Sequence, residues 1–299
     1  DSSNVVPEYL DEIIFYLGQA YNLINKNTNK TFLFNGNQET NNLEFGNYLK
    51  RLGYNFKNDN YEVGGYVFLR NNKYTLAMDV GPVPEKKFSY DYQSGLLSFE
   101  LLSNKKNIIV NSGYFQNYKH QLNFISKTSA SQSTLSIENH SSAQFNKTAN
   151  GSFEVDNLIK ISDKKISLDQ NHWSIEASHD GYYKRFGVNH FRKIQFELDK
   201  EKITGRDIIF KKKNYKPKNF EIRFHLDPQT KIMQTQDGKT IYIDGDNEGW
   251  KFVGKNCNIN FETGLYFGRK NNFVENQNIV ISGIANEDKK EIIWELEKI

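Results

Sequence analysis

From Tyr61 to the last residues, the chain repeats one device. Short apolar runs place every second side chain on one face, and Gly, Asn, Asp or Lys clusters close each run. That period marks strands with a buried face, because successive side chains in a strand point to opposite sides. Tyr66-Val67-Phe68-Leu69-Arg70, the turn Asn71-Asn72-Lys73 and Tyr74-Thr75-Leu76-Ala77-Met78 read as a hairpin. Further strands are expected at 97–102, 107–110, 133–137, 173–177, 191–198, 205–210, 219–226, 240–243, 259–267, 278–283 and 291–296. Nothing alternates strand with helix in this region. The pattern therefore predicts a mainly β chain, one large antiparallel layered β-sandwich.

The first residues carry the helical period instead. Pro7 suits a first turn, and Leu10, Ile13, Ile14, Leu17, Tyr21 and Ile24 recur on one face over 7–25. A second run over 41–53 carries Leu43, Leu49 and Leu52, with Gly53 placed as its C-cap. Two short helices with one apolar stripe each cannot make a core. They are expected to pack on the sheets or on further helical material. The division expected is a helical segment over 1–58 and a sandwich over 59–299.

Composition permits such a core. Only 37% of the 299 residues are hydrophobic, but 22 Phe and 17 Tyr supply large buried areas that favour strands. A net charge of +3 and a pI near 8.6 are too mild, and the basic residues too dispersed, for a nucleic-acid partner. The one basic cluster, Lys211, Lys212, Lys213, Lys216 and Lys218, lies between two strand-like runs and reads as a solvated loop. No apolar stretch approaches a membrane span. Cys257 is the only cysteine, which excludes an internal disulfide and fits a cytoplasm or a bacterial periplasm equally. The Asn, Lys and Ile bias suggests a bacterial source. The chain starts at Asp1, which leaves open a processed or truncated product.

Phosphate loops, dinucleotide fingerprints, G-x-S-x-G elbows and H-E-x-x-H motifs are absent from the sequence. The six histidines lack metal-type spacing, so no metal and no cofactor is expected. His179 and Asp180 form the one suggestive pair. They are either a base beside a carboxylate or, as an Asp-Gly corner favours, a turn between strands.

Several segments in order resemble the heparinase II/III-like C-terminal domain. These are Gly65-Tyr66-Val67-Phe68-Leu69-Arg70, Asp79-Val80-Gly81-Pro82, Leu97-Ser98-Phe99-Glu100-Leu101 and Ile109-Val110-Asn111-Ser112-Gly113. Ala177-Ser178-His179-Asp180-Gly181-Tyr182, Arg185-Phe186-Gly187-Val188-Asn189-His190-Phe191-Arg192 and Phe224-His225-Leu226-Asp227-Pro228 continue the series. The resemblance implies a β-sandwich joined to an N-terminal α/α toroid, of which the two helices would be the tail and the rest would be missing. It also implies β-elimination on uronate-containing polysaccharides, with an acidic polysaccharide or oligosaccharide lying between the two domains. In such enzymes the toroid supplies most catalytic groups. The sandwich lends a histidine from an H-x-H-x-D stretch and a structural zinc site.

This chain departs from that pattern. Counting back without gaps from Leu97-Ser98-Phe99-Glu100, Asp91 stands at the catalytic histidine position, flanked by Tyr90 and Tyr92, either of which could contribute a phenol. Gln93, Asn111 and Gln132 stand where the resemblance implies zinc ligands. Amides are poor zinc ligands, and an ordinary carboxylate is a weak base for a carbon acid. Two readings stay open: a divergent polysaccharide lyase, and a non-catalytic carbohydrate-binding or structural sandwich.

Overall fold

The computed structural model describes residues 7–25, 31–40, 42–56, 60–213, 215–245, 247–270 and 272–299. The expected boundary between 58 and 59 lies outside them.

Among these residues, α1 (Glu8–Ile24) and α2 (Leu43–Arg51) precede the sheets, α3 (Gln121–Lys127) and α4 (Tyr183–Phe186) interrupt them, and everything else regular is strand or 3-10 turn. The first strands are β1 (Glu62–Val63), β2 (Tyr66–Arg70), β3 (Tyr74–Asp79), β4 (Phe99–Ser103), β5 (Lys106–Val110) and β6 (Leu135–Ile137). A satellite hairpin follows, β7 (Phe145–Lys147) with β8 (Phe153–Val155). Then come β9 (Ile161–Leu168), β10 (His172–His179), β11 (Val188–Glu197), β12 (Lys202–Lys211) and β13 (Lys218–Leu226). The last are β14 (Lys231–Gln234), β15 (Thr240–Asp244), β16 (Gly249–Gly254), β17 (Ile259–Tyr266), β18 (Val274–Ala285) and β19 (Lys289–Lys298).

One nine-stranded sheet runs β1-β2-β3-β4-β5-β13-β18-β17, with β6 on β13. An eight-stranded sheet runs β14-β15-β16-β19-β12-β11-β10-β9. All pairings are antiparallel, as the alternation requires. The core fills the space between the sheets. Phe99 and Phe252 stack on Trp294 at 5.6 and 5.7 Å, and Gly205, opposite Trp294 in the β12–β19 register, makes room for its indole. A Cβ at Gly205 would stand 2.0 Å from that ring.

Of the strands that periodicity did not indicate, all but β16 are edge or satellite pieces; β16 lies between β15 and β19 and buries Trp250 and Phe252. β9, at one edge, reads Ile-Ser-Asp-Lys-Lys-Ile-Ser-Leu and is mostly exposed, and β14 forms the opposite edge. Both leave most side chains in water and reach the core only through Ile161, Ile166 and Ile232, so neither needs a strong apolar signature.

The helices sit outside this core. α1 docks through Leu23 on Phe32, Phe34 and Phe68, but leaves Tyr9, Ile13, Phe15, Tyr16 and Leu17 exposed. α2 buries none of its residues and exposes Leu43, Phe45 and Tyr48. No helix among the described residues is long and apolar enough to cross a membrane.

Candidate functional site

A cleft of about 240 Å³ opens where β2 begins and β3 ends. Asn35, Gly64, Tyr66, Asp79, Gly81, Pro82, Pro84, Phe88, Asp91 and Tyr92 line it. Its floor depends on two glycines that touch. The Cβ that a side chain would place at Gly65 falls 2.4 Å from Gly81 Cα, and Gly65 has φ +87°. Only glycine permits both the approach and that dihedral. The Val80 amide donates to the Gly65 carbonyl at 2.9 Å and fastens the two segments.

Asp79 closes β3 and is buried, its Oδ1 accepting from the Gly81 amide at 3.1 Å. Burial pushes its carboxyl up to about 7, only partly offset by that hydrogen bond. The carboxyl can therefore exchange a proton near neutrality, as a cleft acid or base must. Tyr66 and Tyr92 stand in its field, and burial first, then Asp79, drives both phenols above their ordinary range. Neither is a phenolate at neutral pH. The Tyr92 hydroxyl is buried with no hydrogen-bond partner among the described residues, whereas Tyr90 is exposed and does not line the cleft.

Asp91 lies on the exposed rim of the cleft. Gly36, with φ +77°, lies against it, since a Cβ there would stand 2.8 Å from Asp91 Cβ. Beneath the rim, the wholly buried Lys127 donates to the Tyr90 carbonyl and, at 3.2 Å, to the Tyr92 carbonyl. Its ammonium sits 5.0 Å from the Tyr114 ring. Burial lowers its pKa to about 8 while Asp91 pulls the other way. Lys127 thus pins the turn that presents Asp91.

The cleft is tied to the amides behind it. Asn35, in a left-handed conformation, accepts from the Gln93 amide at 2.7 Å and donates to the Tyr66 hydroxyl. Gln93 Nε2 donates to the carbonyls of Gly113 (2.9 Å) and Ser126 (2.6 Å), while its Oε1 accepts from the Gly36 amide. Gln132 Nε2 donates to the same Ser126 carbonyl at 3.3 Å. That carbonyl belongs to the last turn of α3, which leaves C=O groups without intrahelical partners. Asn111 stands one step away, its Oδ1 accepting from the Ser133 amide at 2.9 Å and its Nδ2 facing Glu100. The glutamines turn N–H donors toward their shared centre, so a cation there would meet positive ends. These residues do not fit zinc. Among the described residues, no three His, Cys, Asp or Glu side chains gather around one metal position.

His179 and Asp180 point apart. Asp180 Oδ1 accepts from the Lys160 amide at 2.8 Å, at the turn. His179 enters the interior, where Nδ1 accepts from the Gly181 amide and Nε2 lies 3.4 Å from His190 Nδ1. His190 Nε2 meets Asp207 Oδ1 at 2.7 Å, and the Arg192 Nε and Trp294 Nε1 groups donate to the same carboxylate. Arg192 also donates to the carbonyls of Leu97 and Ser133, so this buried chain anchors the segments leading from Gln93 and Gln132. The basic cluster disperses. Lys211 is buried rather than solvated, donating to the Tyr215 carbonyl at 3.1 Å, and Lys218 lies over the Phe186 ring at 5.6 Å.

Sequence reading missed Asn35, Tyr66, Asp79, Lys127 and the His190–Arg192–Asp207 group as site or support residues. A signal existed for the last. His190 and Arg192 fall in phase with the inward Val188, Ile194 and Phe196 of β11, and polar residues at core phase need buried partners. Asp79-Val80-Gly81 likewise has the spacing of an Asp capping its own turn. Lys127, in a short helix, gave none.

Comparison with known proteins follows this geometry. The profile described as Heparinase II/III-like, C-terminal, matches residues 56–295. The heparan sulfate lyase HepC from Pedobacter heparinus superposes with a TM-score of 0.78 at 13% identity, over 98% of this chain and 47% of that one. A structure of heparinase III gives 0.74 at 14% identity, over 98% and 49%. FtsZ-localized protein C of Caulobacter vibrioides is 23% identical over 249 residues, 78% of this chain and 42% of that protein. The chain thus spans less than half the length of these relatives. At such identities the structural likeness establishes the antiparallel sandwich, and the profile match over most of the chain establishes descent: the chain belongs, as a divergent member, to the heparinase II/III-like family through its C-terminal domain.

Proposed function

We propose that this domain is the sandwich wall of a saccharide-binding cleft in a polysaccharide-lyase-like protein, and that the 299-residue chain alone does not perform β-elimination on uronate polymers. The observation that carries this is the cleft's inventory of groups. β-Elimination needs a base for the C5 proton, a neutraliser for the uronate carboxylate and an acid for the leaving oxygen. Asp79, at about 7, and the protonated Tyr66 and Tyr92 can exchange or donate protons. None of the described residues lining the cleft carries a positive charge to neutralise a uronate. The amides Gln93, Asn111 and Gln132 take the place of the implied zinc site by satisfying backbone groups. The exposed apolar sides of α1 and α2 are the surfaces against which further toroid helices would pack.

The test incubates the chain with heparan sulfate, chondroitin sulfate and alginate and follows the ultraviolet absorbance of unsaturated product, while binding is measured in parallel for these acidic polymers and for glucosamine and N-acetylglucosamine oligosaccharides. Binding without product is expected. Product formation by this chain removes the second half of the proposal, and absence of any saccharide binding removes the first. A second, scaffolding reading draws support from the name of the FtsZ-localized relative. Co-sedimentation of the chain with FtsZ polymers tests it.

A further inference from the structure

Resting on the saccharide reading above, we infer that the cleft selects a sugar residue with a free amino group, its ammonium held between the carboxylates of Asp79 and Asp91.

The charges inside the cleft are one-sided. Asp79 and Asp91 line it, and no Lys, Arg or His is among the described residues that do. The lysines of the adjoining turn are engaged elsewhere: Lys86 with Glu154 at 2.9 Å and Lys87 with Glu85 at 3.3 Å. Lys127 offsets part of the Asp91 charge, but its ammonium is directed at the Tyr90 and Tyr92 carbonyls beneath the rim. Among the described residues Asp79 has no such partner. Its carboxyl receives one backbone amide and is held near 7 by burial, so its anionic form lacks a counter-charge that an incoming ammonium would bring. A uronate or a sulfate at the same place would face like charge and would be rejected.

The remaining lining groups suit a pyranose. Phe88, 71% exposed, offers an apolar face to sugar C–H groups, and Tyr66 and Tyr92 also line the cleft. The buried Tyr92 hydroxyl, without a partner among the described residues, is the kind of polar group a ligand hydroxyl satisfies. A volume of about 240 Å³ limits the occupant to something near one ring. The ligand class is thus an unacetylated hexosamine within an oligosaccharide, in contrast to the acidic sugar that family resemblance implies.

Titration calorimetry of the whole chain near neutral pH and at low salt decides between these classes. The titrants are tetramers of glucosamine, of N-acetylglucosamine and of a uronic acid, with free putrescine as a simple amine. The glucosamine tetramer should bind at least about tenfold more tightly than its acetylated form, a difference of roughly 1.4 kcal/mol. Asp79→Asn and Asp91→Asn should each move the ratio of those two affinities toward one, a readout that partial loss of folded protein does not mimic. Equal binding of the acetylated tetramer, or tighter binding of the uronate tetramer, overturns this inference and leaves the saccharide reading standing. Putrescine binding as tightly as the glucosamine tetramer overturns it as well, since the site would then be a trap for any amine. If no tetramer binds, both readings fall.

Discussion

Gln93 and Gln132 donate their side-chain amides to one and the same acceptor, the Ser126 carbonyl, at 2.6 and 3.3 Å. The pair closes the open end of α3 from two distant segments and turns N–H groups toward the place where the family resemblance implies a metal. Gln93→Ala should destabilise the chain by about 1–3 kcal/mol, because it strips buried carbonyls of a donor. Urea denaturation measures it. Zinc added during purification should be absent from the protein by elemental analysis, and the combined change Gln93→His, Asn111→Asp, Gln132→His should introduce binding. Stoichiometric zinc in the unaltered chain would show that the amides do ligate.

Asp207 is the anion on which the interior polar group depends. It accepts from His190, Arg192 and Trp294, and its carboxyl is held well below the usual range by Arg192 and His190 against a large burial penalty. Asp207→Ala should cost about 3–5 kcal/mol, since it leaves Arg192 charged and unpaired in the core. His179→Ala, at the far end of the chain, should cost about 1–3 kcal/mol. Asp180→Ala should have little effect beyond its turn. Thermal melts of the three variants rank them, and equal effects at positions 179 and 180 would contradict the separation seen here.

Stability should decline as pH falls below about 6.5. His179, His190 and His225 are all buried, and burial holds each below its ordinary pKa, His225 at about 4. Unfolded histidines bind protons near 6.5 that the folded chain refuses, so acidification favours unfolding over that window. Asp79 acts in the opposite sense. Its folded carboxyl keeps a proton up to about 7 that the unfolded one loses near 3.8, so acidification through that range favours folding. Asp79→Asn removes this opposing contribution, and its melting temperature should therefore fall more steeply between pH 7 and 4 than that of the unaltered chain.

Gly65→Ala should deform the cleft as well as the fold. Its Cβ would meet Gly81 Cα at 2.4 Å in a backbone conformation unfavourable to alanine. A loss of about 1–3 kcal/mol is expected from the strain, together with weakened saccharide binding. Gly151→Ala, at φ +90° with open space around its Cβ position, separates dihedral strain from the steric clash and should leave binding unchanged.

The sequence by itself determined most of the core strands, the antiparallel class and the helical start, because period-two and helical patterns are local properties of neighbouring side chains. Asp91 and Tyr92 came to notice only through the family resemblance, which implies a catalytic histidine at position 91 when counted back from Leu97-Ser98-Phe99-Glu100. Tertiary structure alone decided what those residues meet. β13 lies between β5 and β18, and β19 between β16 and β12, pairings between segments dozens of residues apart that no local period encodes. The Arg192–Asp207 register is that of the local β11–β12 hairpin, whereas the closeness of Asn35 to Tyr66 and the placing of Lys127 under Tyr90 rest on contacts between distant segments. Asp79 shows the physical reason most plainly. As a residue type it is an ordinary carboxylate, and only the layers closing over the end of β3 remove the water that would keep it charged.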